Sequence, residues 1–422
     1  MAKILYVLLD GVGDRPDPTL NYTTPLESAH TPALDKFARQ GACGLVYPVG
    51  KGIAPESDIA VFCMLSYDVT AEYVGRGVVE AVGANMKFQD GDLALRGNFA
   101  TIKDDYTIVD RRAGRDLSDE EAEELVKTIM GEVRLSHNAT FNLKHTVSHR
   151  VTLVIHVDGV ELSANIGNTD PAYVRVGGMG VVKTDAGVLK LQPSTPLDDS
   201  PSTKLSASLV NEFSEKVVQA LQNHPVNLRR AREGRMQANA IILRDAGNRM
   251  PQIPTLEEKF GYRFVCIADL PVELGVARLT GMSVEAAGGI QDYEVKAETA
   301  SRLLKEYGVV YVHLKGPDEP GHDGRAVVKK RVIEDIDQRF FSSLAGQIDL
   351  NDILLIVSSD HSTPCQLKAH SADPVPLLMV GCGVERDRAC RFTERDAAIG
   401  SLGEMRGVDV LPRAFSILKR KV

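Results

Sequence analysis

The segment Val309-Val310-Tyr311-Val312-His313-Leu314-Lys315-Gly316-Pro317-Asp318-Glu319-Pro320-Gly321-His322-Asp323-Gly324 decides how the chain is read. A nearly continuous apolar run of strand length, Val309 to Leu314, gives way to a loop that carries Lys315, Asp318 and His322. Two other runs have the same form. Ile4 to Leu9 leads into Asp10-Gly11, and Ile353 to Val357 leads into Ser359-Asp360-His361, with His370 beyond it. Short β-branched runs that are apolar throughout are those of strands buried on both faces of a parallel sheet. Helical patterns lie beside them. Thr31-Pro32 opens one that has Leu34, Phe37 and Ala38 on its apolar face and closes at Gly41, and Val332, Ile333, Ile336, Phe340 and Leu344 follow the helical period. The fold class is therefore α/β, with a doubly wound core. In open sheets of this kind ligands bind at the carboxyl ends of the strands, so three loops far apart in sequence converge on one site.

The middle of the chain reads differently. Ser118-Asp119-Glu120-Glu121 is a capping box that leads into Ala122, Leu125, Val126, Ile129 and Met130 at helical spacing. Val151 to Val157 reads as a strand with a hairpin signal at Asp158-Gly159, and Gln192 to Lys204, rich in Pro, Ser, Thr and Asp, as a loop or hinge. The expected organisation is a core built from residues 1–114 and 251–422, with a smaller α+β domain inserted at 115–250.

Composition narrows the function. Of 422 residues, 49 are Lys or Arg and 57 are Asp or Glu, a net charge of −8 with no basic footprint, which argues against nucleic acid as a partner. No stretch approaches the ~20 apolar residues of a membrane span, and the N-terminal apolar run is cut at Asp10 with no cleavage site after it. The six cysteines include no C-x-x-C pair and read as reduced thiols of a cytoplasmic protein. Gly177-Gly178-Met179-Gly180 lacks the lysine of a phosphate-binding loop and the full dinucleotide spacing.

The strand ends carry the chemistry. Asp10, Asp318, Asp360, His322, His361 and His370 are six oxygen or nitrogen donors, more than one four-coordinate ion requires. Two divalent ions fit better, and the mixed carboxylate and imidazole set suits manganese, zinc or cobalt more than magnesium. Packed together without a cation, such carboxylates raise one another's pKa. Ser57, in Ala54-Pro55-Glu56-Ser57-Asp58 ahead of Ile59, Phe62, Cys63 and Leu65, stands at a helix N-terminus, where backbone N–H groups favour an alkoxide or a phosphate ester. Read alone it is a helix cap, and Asp10-Gly11 alone is a turn; only the company of the other donors makes them functional. His30, His137, His145, His149, His156, His224 and His313 have no such context and are expected to be structural or exposed.

Together these motifs resemble the alkaline phosphatase superfamily, and within it the archaeal-type cofactor-independent phosphoglycerate mutases. The resemblance is carried by Leu8-Leu9-Asp10-Gly11, Pro55-Glu56-Ser57-Asp58, His313 to Gly324, Ser359-Asp360-His361-Ser362-Thr363-Pro364-Cys365 and His370 to Pro376. It extends through Arg96-Gly97-Asn98-Phe99-Ala100, Asp110 to Arg115 and Gly167-Asn168-Thr169-Asp170-Pro171. It implies an alkaline-phosphatase-like core that holds two metal ions, one on Asp318, His322 and His370 and the other on Asp10, Ser57, Asp360 and His361. Ser57 would take the phosphoryl group of 3-phosphoglycerate and return it to the 2-hydroxyl through a phosphoserine, with no 2,3-bisphosphoglycerate required.

Retaining the glycerate and excluding water call for a second domain with arginines for the carboxylate. Arg111, Arg112, Arg115, Arg175, Arg235 and Arg244 are the candidates, with Lys315 in the core motif and Asp170 as an acid or base or as the head of an Asx turn. The Arg-His-Gly motif of the unrelated cofactor-dependent mutases is absent. The rival readings are a phosphomonoesterase or sugar-phosphate mutase with the same metal core, and a metal-binding regulatory protein without catalysis. The partner is a small molecule in the first two, and association into a homo-oligomer stays open.

Overall fold

The computed structural model describes residues 2–68, 73–176, 179–182 and 187–420. The chain divides into two units, one of Met1–Ala71, Ile253–Asp269 and Val276–Val422, the other of Glu72–Gln252 and Leu270–Gly275.

The first unit is built on an eight-stranded sheet in the order Ser283–Val284, Phe264–Ile267, Val309–Leu314, Lys3–Leu9, Ile353–Ser358, Val375–Val380, Ala42–Tyr47, Gly403–Arg406. The first five run parallel; Val375–Val380 is antiparallel to both its neighbours, and the last two strands are parallel to each other. The three apolar runs of the sequence are adjacent in the middle of this sheet, with Leu8 level with both His313 and Ser358. All three are buried along nearly their whole length, which is why they carry no alternation. Their loops therefore leave the sheet side by side. A core of Leu5, Val7, Leu9, Val310, Val312, Leu314, Leu355 and Val357 packs against Leu34, Phe37, Ile333, Ile336 and Phe340 from the flanking helices. The helical pattern from Val332 to Leu344 is interrupted by a π turn, Asp337–Phe341, whose first residue accepts from the backbone N–H groups of Ala33 and Leu34 and so caps the helix Pro32–Ala38.

The second unit holds an antiparallel sheet in the order Ile108–Asp110, Leu93–Ile102, Arg150–His156, Thr140–Val147, with Ala240–Gly247 on the free side of Leu93–Ile102. One face, through Leu93, Leu95, Phe99, Val151, Leu153, Ile241 and Leu243, packs on Leu125, Ile129, Leu209, Val210, Phe213 and Val217 of the helices Asp119–Glu132 and Pro201–Leu221.

Three readings of the sequence are corrected here. Residues 73–114 fall in the second unit and not in the core, because Leu93–Ile102 is its central strand, paired with both Arg150–His156 and Ala240–Gly247. The stretch 192–204 is a loop only as far as Ser200, whose hydroxyl accepts from the Thr203 N–H and starts the helix at Pro201. The hairpin of Arg150–His156 is made on its other side, with Thr140–Val147, and Asp158-Gly159 is a simple turn. The capping box at Ser118 is present, with Glu121 reaching back to the Ser118 N–H. No helix among the described residues is long and apolar enough to cross a membrane.

Candidate active site

The loops after Lys3–Leu9, Val309–Leu314 and Ile353–Ser358, with the N-terminus of the helix Ser57–Met64, bring the donors together within the first unit. Asp318 begins the helical turn Asp318–Asp323, so His322, four residues on, lies over it with Nε2 3.4 Å from Asp318 Oδ1. His370 Nε2 is 3.6 Å from the same oxygen, and His361 Nδ1 is 4.0 Å from it. The rings of His361 and His370 stack with centroids 3.7 Å apart. Backbone carbonyls orient two of these rings: Lys368 O lies 3.1 Å from His322 Nδ1, and Pro55 O lies 2.7 Å from His370 Nδ1. Fixing one ring nitrogen in this way aims the other at a ligand.

The second group is deeper. Asp10, His313 and Asp360 are all buried and their ligand atoms lie within 4.8 Å of one another. His361 spans both groups, its Nε2 3.2 Å from Asp360 Oδ2, 3.7 Å from Asp10 Oδ1 and 3.2 Å from Ser57 Oγ. Lys315 Nζ is 3.1 Å from Asp10 Oδ2. Ser57 is the first residue of its helix; the cap position is Glu56, so the Ser57 hydroxyl is not used as the cap.

Electrostatics follow from this crowding. Burial and the Asp10 charge push Asp360 up to about 7. Burial also works to raise Asp10, but Lys315 and His313 outweigh it and hold its carboxyl below the usual range. Asp318 is held low against its burial by His370, His361 and His322. His370, despite burial, is pushed up to about 9 by Asp318, while burial and the neighbouring His370 push His361 well down.

Asp10 Oδ1 and Asp360 Oδ2 are buried and accept no hydrogen bond. Buried carboxylate oxygens left in this state are costly, and cations are the ordinary remedy. The donor set therefore fits divalent ions.

A tight frame holds the loops. Gly11 has φ +60, and a Cβ there would stand 2.7 Å from Thr363 Oγ1 and 2.8 Å from Asp318 Oδ1. Lys329, fully buried, donates to Asp14 Oδ2 at 2.8 Å, Thr363 O at 2.9 Å and Gly13 O at 3.0 Å, which uses all three of its protons. Thr363 Oγ1 donates to Asp318 Oδ1 at 2.7 Å and lies 3.0 Å from His361 Nδ1. Lys329, Asp14 and Thr363 were not singled out in the sequence. The sequence reads His313 as structural or exposed; its place near the end of a buried strand, just before the Asp318 loop, is the signal that marks it.

In the second unit, the sheet face opposite the helices Asp119–Glu132 and Pro201–Leu221 combines an apolar patch, where Ala94 and Val154 pack with Val78 and Ala81 of the helix Arg76–Gly83, with a set of buried polar groups. Arg96 lies level with Thr152 on one side and Arg244 on the other, and Asn98 is level with Arg150. Arg96 Nε, Arg244 Nε, Asn98 Oδ1 and Thr152 Oγ1 are buried without hydrogen-bond partners. Glu80 Oε1 is 2.9 Å from Arg76 Nε and 3.2 Å from Arg96 Nε. Positive charge dominates the face: burial and then Arg76 and Arg244 push Arg96 down to about 10, and burial with Arg150, Arg112, Arg96 and Arg244 pushes His149 down to about 2.

Asp170, wholly buried, accepts from Arg111 through both oxygens and from Arg244 at 3.1 Å, and also from the Ala172 N–H. Both arginines lie over the Tyr173 ring. Arg112 is half-buried and Arg115 exposed. Arg235 is taken up elsewhere, by Asp116 and Glu121, which it shares with the buried Arg230. Arg175 lies on the strand Tyr173–Val176, with its side chain outside the described residues, as are Gly177 and Gly178.

Comparisons with known proteins agree with one another. A model of the family described as 2,3-bisphosphoglycerate-independent phosphoglycerate mutase matches residues 38–227. Proteins of that name from Aeropyrum pernix, 39% identical over 99% of both chains, and Pyrococcus horikoshii, 38% identical over 99% of this chain and 97% of the other, are similar along their length. Among solved structures, a Pyrococcus horikoshii protein matches with TM-score 0.80 at 32% identity over 99% of this chain and 98% of that one. A cofactor-independent phosphoglycerate mutase from Thermoplasma acidophilum matches with TM-score 0.63 at 31% identity over 99% and 100%.

Proposed function

Because the chain belongs to the 2,3-bisphosphoglycerate-independent phosphoglycerate mutase family, we propose that it is an isomerase that interconverts 3-phosphoglycerate and 2-phosphoglycerate through a phosphoserine on Ser57. The observation that carries the mechanism is the position of the Ser57 hydroxyl, at a helix N-terminus and 3.2 Å from His361, the histidine whose ring nitrogens face both donor groups.

Asp318, His322 and His370 would hold one divalent ion and Asp10, Ser57, Asp360 and His361 the other, with manganese the first choice and zinc, cobalt or magnesium as alternatives. When bound, such ions stabilise the oxygens of an in-line displacement at phosphorus and lower the pKa of the serine hydroxyl.

The chain's own groups do the rest. Ser57 Oγ forms the new bond to phosphorus as the bond to the substrate's 3-oxygen breaks, and that oxygen leaves with a proton as the hydroxyl of glycerate. The 2-hydroxyl then attacks the phosphoserine, loses its proton, and frees Ser57. The helix N-terminus offers backbone N–H groups to the phosphoryl oxygens, and Lys315, beside Asp10, adds a fixed positive charge. Retention of the glycerate requires a hold on its carboxylate, for which arginine is suited. We assign that role, as a substrate-binding lid, to the second unit, with Arg111, Arg112, Arg115, Arg175 and Arg244 as its reserve of positive charge. Asp170 pairs with Arg111 and Arg244 and keeps their guanidinium planes in place. Arg235, in its network with Asp116 and Glu121, supports the fold of that unit. A cytoplasmic location accords with six free cysteines.

The test is conversion of 3-phosphoglycerate by metal-stripped protein with manganese restored, 2,3-bisphosphoglycerate absent, and free phosphate followed in the same tube. Metal-dependent isomer formation with little phosphate release is expected. Phosphate without isomer would move the function to hydrolysis by the same core.

A further inference from the structure

His313 is part of neither ion site assigned above, yet it is completely buried and stands between the carboxylates of the deeper one. We propose that His313 is a nitrogen ligand of that second metal ion, alongside Asp10 and Asp360; the inference rests on the two-ion reading of the same site.

Position comes first. His313 lies on the central strand Val309–Leu314, level with Leu8 on the strand that ends at Asp10, and the next strand over ends at Asp360. Three adjacent parallel strands thus deliver one donor each to a single buried point. His313 Nε2 is 3.8 Å from Asp10 Oδ1 and 3.8 Å from Asp360 Oδ2. Donors about 2.1 Å from a common ion stand roughly 3 to 3.5 Å apart at octahedral to tetrahedral angles, so a contraction of a few tenths of an ångström closes the group around a cation.

The unmet groups point the same way. Asp10 Oδ1 and Asp360 Oδ2 are the very oxygens that accept no hydrogen bond, and at 3.8 Å the imidazole does not satisfy them as a donor. The other ring nitrogen is already placed: Nδ1 lies 2.8 Å from the Tyr311 hydroxyl on the same strand. With the Nδ1 proton given to the Tyr311 oxygen, the Nε2 lone pair faces the two carboxylates, the arrangement of a ligating histidine and its orienting partner. A histidine that served only to fill the core would not be set against two orphaned carboxylate oxygens. The added imidazole makes the deeper site richer in nitrogen and so biases it toward cobalt, zinc or manganese over magnesium.

The experiment is a titration of chelator-stripped full-length protein with Co2+, reading bound ions per chain by equilibrium dialysis and the ligand-field absorption of the bound cobalt. His313→Gln should weaken one Co2+ by at least about 10-fold and alter its absorption band while changing Mg2+ affinity much less, and Tyr311→Phe, which keeps the ring packing, should weaken the same ion by about 10-fold. Wild-type Co2+ affinity and absorption in folded His313→Gln would overturn the proposal. If that variant does not fold, the same unchanged result in Tyr311→Phe would overturn it. One Co2+ per chain that weakens in His313→Gln would uphold the ligand while overturning the two-ion count. No Co2+ bound by the wild-type chain would overturn both.

Discussion

Ser57 Oγ lies 3.2 Å from His361 Nε2 across a sequence separation of 304 residues. The contact joins a helix start to a strand end, and it ties the proposed nucleophile to His361, which reaches both donor groups. Ser57→Ala should leave a folded chain that still binds metal, with turnover reduced on the order of 10⁴-fold or more, the scale of losing a covalent nucleophile. Steady-state assay and metal analysis of the same preparation check this; near-normal turnover would end the phosphoserine mechanism.

Metal removal should be visible in stability. In the metal-free chain Asp360 titrates at about 7 and His370 at about 9, both above their unfolded values. A raised folded pKa contributes stability that is lost as pH rises through it, so in the stripped protein Asp360 lowers stability between about pH 4 and 7 and His370 between about pH 6.5 and 9. The lowered pKa of His361 opposes this only below about 6.5, where the unfolded imidazole is still charged. Saturating Mn2+ should abolish the decline. Thermal unfolding of stripped and loaded protein across this range measures it, and parallel profiles would contradict it.

Gly11→Ala should cost about 1–3 kcal/mol, because the residue has φ +60 and its new Cβ meets Thr363 Oγ1 and Asp318 Oδ1 below 3 Å. The displaced Asp318 should also weaken metal binding. A variant with wild-type denaturant midpoint and metal affinity would refute the fit described for this turn.

Lys329→Met leaves Asp14 buried and uncompensated, and should destabilise by about 3–5 kcal/mol. Equilibrium unfolding provides the number, and a loss under 1 kcal/mol would show that the loops do not depend on this pair.

Arg111 is paired with Asp170 and its side chain is about a quarter exposed. Arg111→Met should raise KM for 3-phosphoglycerate at least about 10-fold with a smaller change in kcat, as expected for lost substrate binding. A kcat effect with unchanged KM would remove it from the binding set.

What could be read without coordinates was whatever depends on local pattern. Apolar runs with no alternation marked Lys3–Leu9, Val309–Leu314 and Ile353–Ser358, since a strand covered on both faces has no polar side to show. Asp10, Asp318, His322, Asp360 and His361 were legible because they follow such runs, where open α/β sheets bind ligands. The capping box at Ser118 was legible because all its groups lie within four residues. The place of Leu93–Ile102 was not, because its partners, Arg150–His156 and Ala240–Gly247, come much later in the chain.

Only tertiary structure decided which side chains meet. His313 carries no local mark, since an inward histidine on a buried strand looks like core until the strands beside it are known to end in Asp10 and Asp360. Lys329 reads as one more helix lysine until Asp14, Gly13 and Thr363 are seen to take its three protons. Arg96 and Arg244 come opposite each other only because the pairing of their strands shifts register between Ala94 and Arg96. Sequence by itself determined which elements form and where chemistry gathers, because period and composition act over a few residues. Pairing order, register and burial act between segments hundreds of residues apart, and they alone decided which donors meet and which arginines share a face.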